Sequence, residues 1–444
     1  MDVRCFASFE EAAFLRDEVD ALNQLSERPD PFSTFGFFET FSRHDEYFPA
    51  GRGLRLWFLT AFSAGQLIGY LALKQVAHRV MGVQTFTLGL LVTHDTDRPH
   101  LVARPEHLRQ ASEAFYAYLL GRKQDWSLLE FHQQDDTSPL FPPPAAVDLK
   151  GYRVRQWPSL ENCTIPVRWD SLGAYFKALP KKYRTNLARQ MRNLLAAGQV
   201  ELLSSSDPAS TPALFELCLG IEPRSWKVQA NANIGRHPAR VAYFRSLLDA
   251  GQPMRVSIQI LLLDGLPIAG IISGAFGTGL YALHIVYDDR VNRFAPGSAM
   301  LLMGMRQAID GHCAFFNLLS GFGYYKARWL AEMTPTRIAQ IYRAGSLLFW
   351  HRRFGDWKRR LFGSKSSAAP VQFNPARREA GERELDAAES GTAPALPCSA
   401  EERERISALM ADARAGRCEY LSSAELARVM PMETQRVRGD LAQA

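Results

Sequence analysis

Residues 280–309, LYALHIVYDDRVNRFAPGSAMLLMGMRQAI, carry the residue types that could hold a phosphorylated ligand. An alternating run ends in Asp288-Asp289, and a helix is set to open at Pro296-Gly297-Ser298-Ala299. Proline suits a first helical turn, and small residues after it let the backbone come close to a ligand. N–H groups and the positive dipole end at such a start can hold a pyrophosphate. The same Pro-Gly pattern also reads as no more than a helix start.

Two basic helices are the next candidates. Lys181, Lys182, Arg184, Arg189 and Arg192 decorate one whose apolar stripe is Tyr183, Leu187, Met191 and Leu194, the spacing that packs one face on a core. Its charges read as a solvated face or as a rim for an anionic acceptor. The other has Leu347, Trp350, Phe354, Trp357 and Leu361 along one side, with Arg352, Arg353, Lys358, Arg359 and Arg360 elsewhere. It reads as the last core helix of its domain or as a helix that docks on an anionic membrane surface. His94, Asp95, Asp97, His100 and His107 lie close in sequence, but no pair stands in an HExxH or related frame. That segment reads as a polar surface loop, and no metal is expected. There is no GxSxG elbow and no Walker loop; GFGYYK keeps two glycines without the rest of a phosphate-loop pattern.

The elements that must position these residues follow from length, charge and periodicity. At 444 residues and 47% hydrophobic, the chain exceeds what one core usually serves and suggests two domains plus extras. The net charge of +6 is unevenly spread. Residues 1–150 hold 14 Lys/Arg against 20 Asp/Glu, residues 151–363 hold 27 against 13, and the remainder 11 against 13. The middle is a basic domain that attracts polyanionic ligands. Six scattered cysteines without a CxxC pair argue against a zinc site or a disulfide framework and for reduced thiols in a cytoplasm. The first residues do not read as a secretory signal, and Leu261–Phe276 is too short to span a bilayer, so the expectation is a soluble, cytoplasmic chain, peripheral at the inner membrane if the second basic helix docks there.

A helix over 8–25 precedes hairpin-connected strands LRLWFLTAF, LIGYLALKQV and VQTFTLGLLV, then a helix around 106–120 and the strand SLLEFHQQ. The second half repeats the plan: TIPV, a helix from 171, a helix over 181–197, VELLSS, helices near 211–220 and 238–250, then the strands MRVSIQILLL, PIAGIISGAF and LYALHIVYD. A helix from 297 to 310, the strand CAFFNLL and a further helix complete it. A meander followed by strand, helix, strand is α+β.

Residues 158 to about 345 resemble the GNAT-fold acyltransferases typified by CelD/BcsL-like proteins, relatives of the FemAB-type double-GNAT enzymes. The motifs, in order, are LPKKYRTNLARQMRNLLAAGQVEL, Glu222 with Ser225-Trp226-Lys227, DGLPIAG, VYDDRVNRFAPGSAM and FFNLLSGFGYYKARW. The resemblance implies two tandem GNAT-like domains, 1–150 and 151–362, each a mostly antiparallel sheet flanked by helices. A flexible linker over 363–399 and a small helical tail over 400–444 follow, the linker being rich in Ala, Gly, Ser and Pro.

The implied activity is transfer of an acyl group from acyl-CoA, acetyl or longer, to an amine or hydroxyl. The acceptor class includes small molecules and glycan precursors of the cell envelope; an acyl carrier protein or charged tRNA is the next donor to consider. Val286, Tyr287, Arg293, Phe294, Ala295, Pro296, Gly297, Ser298 and Ala299 fall where the family grips pantetheine and pyrophosphate. Glu222, then Asp288 or His284, are the implied bases, near the open edge of the central strands. Tyr325 or Tyr324 would protonate the departing sulfur, Lys326 would steady a phosphate or the acceptor, and Trp226, Lys227 and Trp329 would line the acceptor side. Each has a structural reading as well: Glu222 a cap, His284 a bonded core residue, the tyrosines and Trp329 packing. Two departures stand out. Phe294 sits where the phosphate loop usually has Gln or Arg, with Arg293 one residue further out, and Asn317, Phe322 and Gly323 occupy acidic positions. The second departure keeps open a non-catalytic binding or regulatory protein on the same fold.

The tail resembles a helix-turn-helix, SSAELARVM then METQRVRGDL. Residues 399–444 hold 7 Lys/Arg against 8 Asp/Glu, which argues against nucleic acid and for a knob that docks a protein.

Overall fold

The computed structural model of the chain describes residues 1–44, 54–93, 95–228, 232–249, 251–321, 326–362 and 396–430, without the side chains of 356 and 358–362. The first half runs β1 (Asp2–Phe6), α1 (Arg16–Gln24), α2 (Phe35–Ser42), β2 (Arg55–Ser63), β3 (Gln66–Val80), β4 (Val83–Leu90), β5 (Val102–Ala103), α3 (Leu108–Gly121) and β6 (Leu128–Gln134). The positive-φ pairs Ala64-Gly65 and Met81-Gly82 make the two tight turns of the β2-β3-β4 meander. β4 then pairs parallel with β6, but only over Thr87–Gly89 against Leu128–Glu130.

After β7 (Tyr152–Pro158), β8 (Glu161–Pro166), α4 (Leu172–Ala178) and α5 (Lys181–Ala197), the same order returns. It comprises β9 (Val200–Ser205), α6 (Thr211–Ile221), α7 (Pro238–Leu247), β10 (Arg255–Leu263), β11 (Leu266–Phe276), β12 (Gly279–Tyr287), α8 (Pro296–Asp310) and β13 (Phe315–Gly321). Again the meander is antiparallel, and again the parallel pair is short, Gly279–Tyr281 against Phe315–Asn317. Each half is thus strand, two helices, three-strand meander, helix, strand, with a splay between its last two strands. This is the tandem α+β arrangement of two GNAT-like sheets expected from the sequence.

The first sheet takes in two strands from beyond residue 150, so the division at residue 150 is not where the sheets divide. β15 (Arg337–Arg343) pairs with β6 and β7, placing residues 152–158 and 337–343 in the first sheet, whose order is β1-β2-β3-β4-β6-β15-β7 with β5 on β3. The second sheet runs β14-β8-β13-β12-β11-β10-β9-β16, with β14 (Glu332–Thr334) on its edge. Helix α9 (Leu347–Phe362) follows β15. Beyond it α10 (Ala400–Ala415) packs on α6, β16 (Glu419–Leu421) pairs antiparallel with β9, and α11 (Ser423–Val429) closes on them. The expected free tail is therefore part of the second half through residue 430: Leu426 and Met430 lie in its core. The second helix of the helix-turn-helix pair, METQRVRGDL, and the linker over 363–395 lie outside the described residues.

One core joins the halves. Phenylalanines of the α1/α2 face meet the α6/α7 face, with Phe37 edge-on to Tyr243 at 5.8 Å and Phe32 edge-on to Tyr281 at 5.7 Å. At about 1.5–3 kcal/mol for each fully buried aromatic or aliphatic side chain, this shared layer fixes the halves on each other. Separate cores fill the α4/α5/α8 side of the second sheet and the α3 side of the first. All six cysteines are free, and among the described residues no helix is long and apolar enough to cross a membrane.

Candidate active site

The side chains of β12 change sides halfway along the strand. Ile272 of β11 pairs with His284 and Ser273 with Ala282, so Leu283 is an extra residue, a β-bulge. Before it, Leu280 and Ala282 enter the α8-side core; beyond it, Ile285 and Tyr287 do. The shift of parity turns His284 toward α6 and α7, its ring edge-on to Phe244 at 6.3 Å. Beyond Tyr281 the β12 edge toward β13 pairs with no described strand, and that free edge leads to the start of α8.

His284 meets two of the other expected residues there. Glu222, 1% exposed in the turn that ends α6, accepts from the Ile234 amide at 2.7 Å and the Gly235 amide at 2.6 Å. Its Oε1 lies 3.0 Å from His284 Nε2. Lys227 Nζ stands 3.1 Å from Nδ1 and 3.5 Å from Nε2 of the same ring. A carboxylate accepting at Nε2 places the neutral ring's proton on that nitrogen and leaves Nδ1 as an acceptor beside Lys227. Burial acts first on all three groups. It pushes Lys227 down to about 8 against the pull of Glu222. Burial and then the Lys227 charge push His284 down to about 4. For Glu222, burial is outweighed by His284 and the two amides, and its carboxyl is held below the ordinary range. At neutral pH the chain therefore runs ammonium, neutral imidazole, carboxylate.

At the mouth of α8, Ala295 takes the left-handed region at φ 50°, and Pro296 has no N–H to offer. The Ser298 amide bonds the Ala295 carbonyl at 2.9 Å and shares it with Ala299 at 3.1 Å. Gly297 and Ser298 are half-buried, as are Tyr287 and Arg293, while Val286, Phe294, Ala295, Pro296 and Ala299 are buried. Tyr287 packs on Gly297 so closely that a Cβ there would stand 2.8 Å from its Cδ1. The basic α5 lies against the 289–294 turn, its apolar stripe in the core as expected. A helix start, a strand edge without a described partner beyond Tyr281 and a neighbouring basic helix are the features here that suit an elongated anionic ligand.

Other expected residues do other work. Asp288 is fully buried, with Arg224 Nε at 2.8 Å and Arg290 Nη2 at 2.6 Å, and Arg224 continues to Glu402 of α10 at 2.8 Å. Its carboxylate anchors the β12 end to the tail instead of facing an acceptor. Lys326 donates to the carbonyls of Leu318 and Leu319 at 2.8 and 2.9 Å and so holds the bend where Leu319 adopts φ 58°. Trp329, 2% exposed, is a core indole edge-on to Tyr183 at 5.5 Å. Trp226 is 45% exposed beside Lys227. Tyr324, Tyr325, Phe322 and Gly323 lie outside the described residues, as does His94.

The loop after β4, read from sequence as polar surface, is buried between the halves. Asp95 takes a two-pronged contact from Arg240 at 2.5 and 3.1 Å. Asp97 accepts from Asn162 at 2.6 Å, Ser320 at 2.6 Å and Asn317 at 3.3 Å. A carboxylate of the first half thus stands against Asn317 of the second. Only the closeness of two aspartates in one segment hinted at this. Beside it, a cavity of about 550 Å³, lined by Arg28, Asp30, Asp97, Arg98, Tyr281 and Asn317 among others, sits at the paired starts of β12 and β13.

Residues 181–327 match the family model described as an acetyltransferase (GNAT) domain. No curated protein matches the chain significantly in sequence. Among solved structures, FemX is 11% identical, covering 76% of this chain and 97% of its own, with a TM-score of 0.49. The C-terminal domain of a putative lysylphosphatidylglycerol synthetase from Agrobacterium fabrum is 11% identical over 82% of this chain and 100% of that one, with a TM-score of 0.46. A tandem GNAT protein from the clavulanic acid biosynthesis pathway is 14% identical over 78% and 99%, with a TM-score of 0.45. The segment bounded by α5 and Lys326, which contains the β12 bulge and the α8 mouth, is therefore the part of the chain that matches an acetyltransferase (GNAT) domain.

Proposed function

We propose that the chain transfers an acyl group from acyl-CoA to an amine or hydroxyl acceptor, with the donor along the free edge of β12 and its pyrophosphate at the Gly297-Ser298 helix start. The observation that carries this reading is the meeting of Lys227, His284 and Glu222 at the bulge of that same strand. Acyl transfer needs an acceptor relieved of a proton, a polarised carbonyl and a protonated leaving thiolate, all largely a matter of positioning. A lysine that deprotonates near pH 8 is tuned close to working pH, as a general base requires. In this reading neutral Lys227 takes the acceptor proton while His284 and Glu222 hold and tune it. Trp226 forms the exposed side of the acceptor approach, and the cavity between the halves, with Arg28, Asp30, Asp97 and Arg98 in its wall, offers hydrogen bonds to an acceptor such as a glycan precursor of the cell envelope.

The test is release of free CoA thiol from acetyl-CoA and longer acyl-CoAs, with amine and hydroxyl acceptors offered in turn. Thiol release that depends on an acceptor and is lost in Lys227→Met supports the reading. Donor binding without release under every acceptor favours the regulatory alternative.

A further inference from the structure

Helix α9, which follows β15, is anchored on the first sheet at its start alone among its described side chains. Its first turn is anchored: Leu348 is buried with Val80, Leu128 and Tyr342, and Arg352 donates to the Tyr342 hydroxyl at 3.1 Å. Beyond Leu348, three of its described apolar side chains face solvent. Trp350 is 55% exposed, Phe354 62% and Trp357 52%, so the expected role as a last core helix does not hold for this stripe. Positions 350, 354 and 357 fall on one side of a helix with 3.6 residues per turn. The Phe354 and Trp357 rings lie 5.4 Å apart, and the Arg353 guanidinium sits over the Trp350 ring at 5.7 Å. The sequence continues Lys358-Arg359-Arg360, and the only acid in the helix is Asp356.

We infer that α9 docks the enzyme on an anionic lipid bilayer, with Trp350, Phe354 and Trp357 inserted at the headgroup level, Arg353 at the lipid phosphates and the basic run Lys358-Arg359-Arg360 of the sequence adding to the attraction. Tryptophan and phenylalanine on one face with Lys and Arg around them is the chemistry of a helix lying in a membrane interface. Charge selects this occupant over a second copy of the chain: apposing two such helices would bring arginine against arginine, whereas an anionic surface neutralises them. The helix is about 24 Å long at 1.5 Å per residue, enough to lie on a leaflet and too short and too charged to cross one.

The experiment is co-sedimentation of the full chain with vesicles of phosphatidylcholine alone and of phosphatidylcholine with phosphatidylglycerol. Binding is expected to the anionic vesicles only and to weaken with salt. Trp350→Ser with Phe354→Ser and Trp357→Ser should weaken it at least tenfold while leaving the thermal melt unchanged, because these side chains are exposed. Arg353→Ala with Lys358→Ala, which keeps the apolar stripe, should weaken it about twentyfold, at about fivefold per basic residue. No binding by the wild type, equal binding to both vesicle types, or binding unchanged in the triple variant overturns the proposal. Concentration-dependent dimers abolished by the triple variant, without vesicle binding, would reassign the face to self-association.

Discussion

Lys227 Nζ lies 3.1 Å from His284 Nδ1, and Glu222 Oε1 lies 3.0 Å from Nε2 of the same ring. An amine with a pKa of about 8 is thereby tied through one imidazole to a buried carboxylate. Lys227→Arg tests what this arrangement is for. Arginine keeps the positive charge and cannot give up its proton in this range, so kcat/KM should fall about 100-fold or more. Unchanged kinetics would assign Lys227 a purely electrostatic role.

Glu222→Gln removes the charge that favours the Lys227 ammonium, so the lysine deprotonates at lower pH. The rate of the wild type should rise with pH through about 8, and in the variant that limb should move to lower pH. A pH-rate profile with both limbs coincident contradicts the coupling.

The same ring makes the fold acid-sensitive. Burial lowers His284 from the ordinary 6.5 to about 4, so between those values the unfolded chain binds a proton that the folded chain does not. This contribution to stability is present above pH 6.5 and lost as pH falls toward 4. Urea midpoints measured across that window should decline less in His284→Asn than in the wild type. Equal slopes would mean the ring is not buried neutral.

Asp97 gathers donors from Asn162, Asn317 and Ser320 of the second half. Asp97→Ala removes the acceptor these groups share and should cost about 1–3 kcal/mol, read as a lower denaturant midpoint. No loss of stability would show that water replaces the carboxylate there.

Most of this architecture is legible in the sequence, because its elements announce themselves locally. Helix α5 has the expected bounds 181–197, and the meander strands lie within a residue or two of the alternating runs in most cases. What escaped was non-local. β7 is an exposed edge strand ending at Pro158, and β15 joins the first sheet from more than 200 residues downstream of β6; neither pairing leaves a local signature. The candidate site was half legible. Glu222, His284 and Lys227 were named individually, but their meeting depends on the extra residue Leu283, which reverses the facing of β12. Asp97 was passed over because a short polar segment looks the same whether it faces water or the opposite half. Asp288 and Trp329 were assigned to chemistry although their partners, Arg224 and Tyr183, lie far away in sequence.

The central claim is that a CoA-type donor lies against the α8 mouth, and calorimetric titration of acetyl-CoA into the wild type and Gly297→Ala measures it most directly. An added Cβ would meet the Tyr287 ring at 2.8 Å, forcing a shift of ring or helix start that typically costs about 1–3 kcal/mol. The account predicts one donor bound per wild-type chain and affinity at least tenfold weaker in the variant. Failure of the wild type to bind acetyl-CoA or any longer acyl-CoA, or identical affinity in both chains, would contradict it.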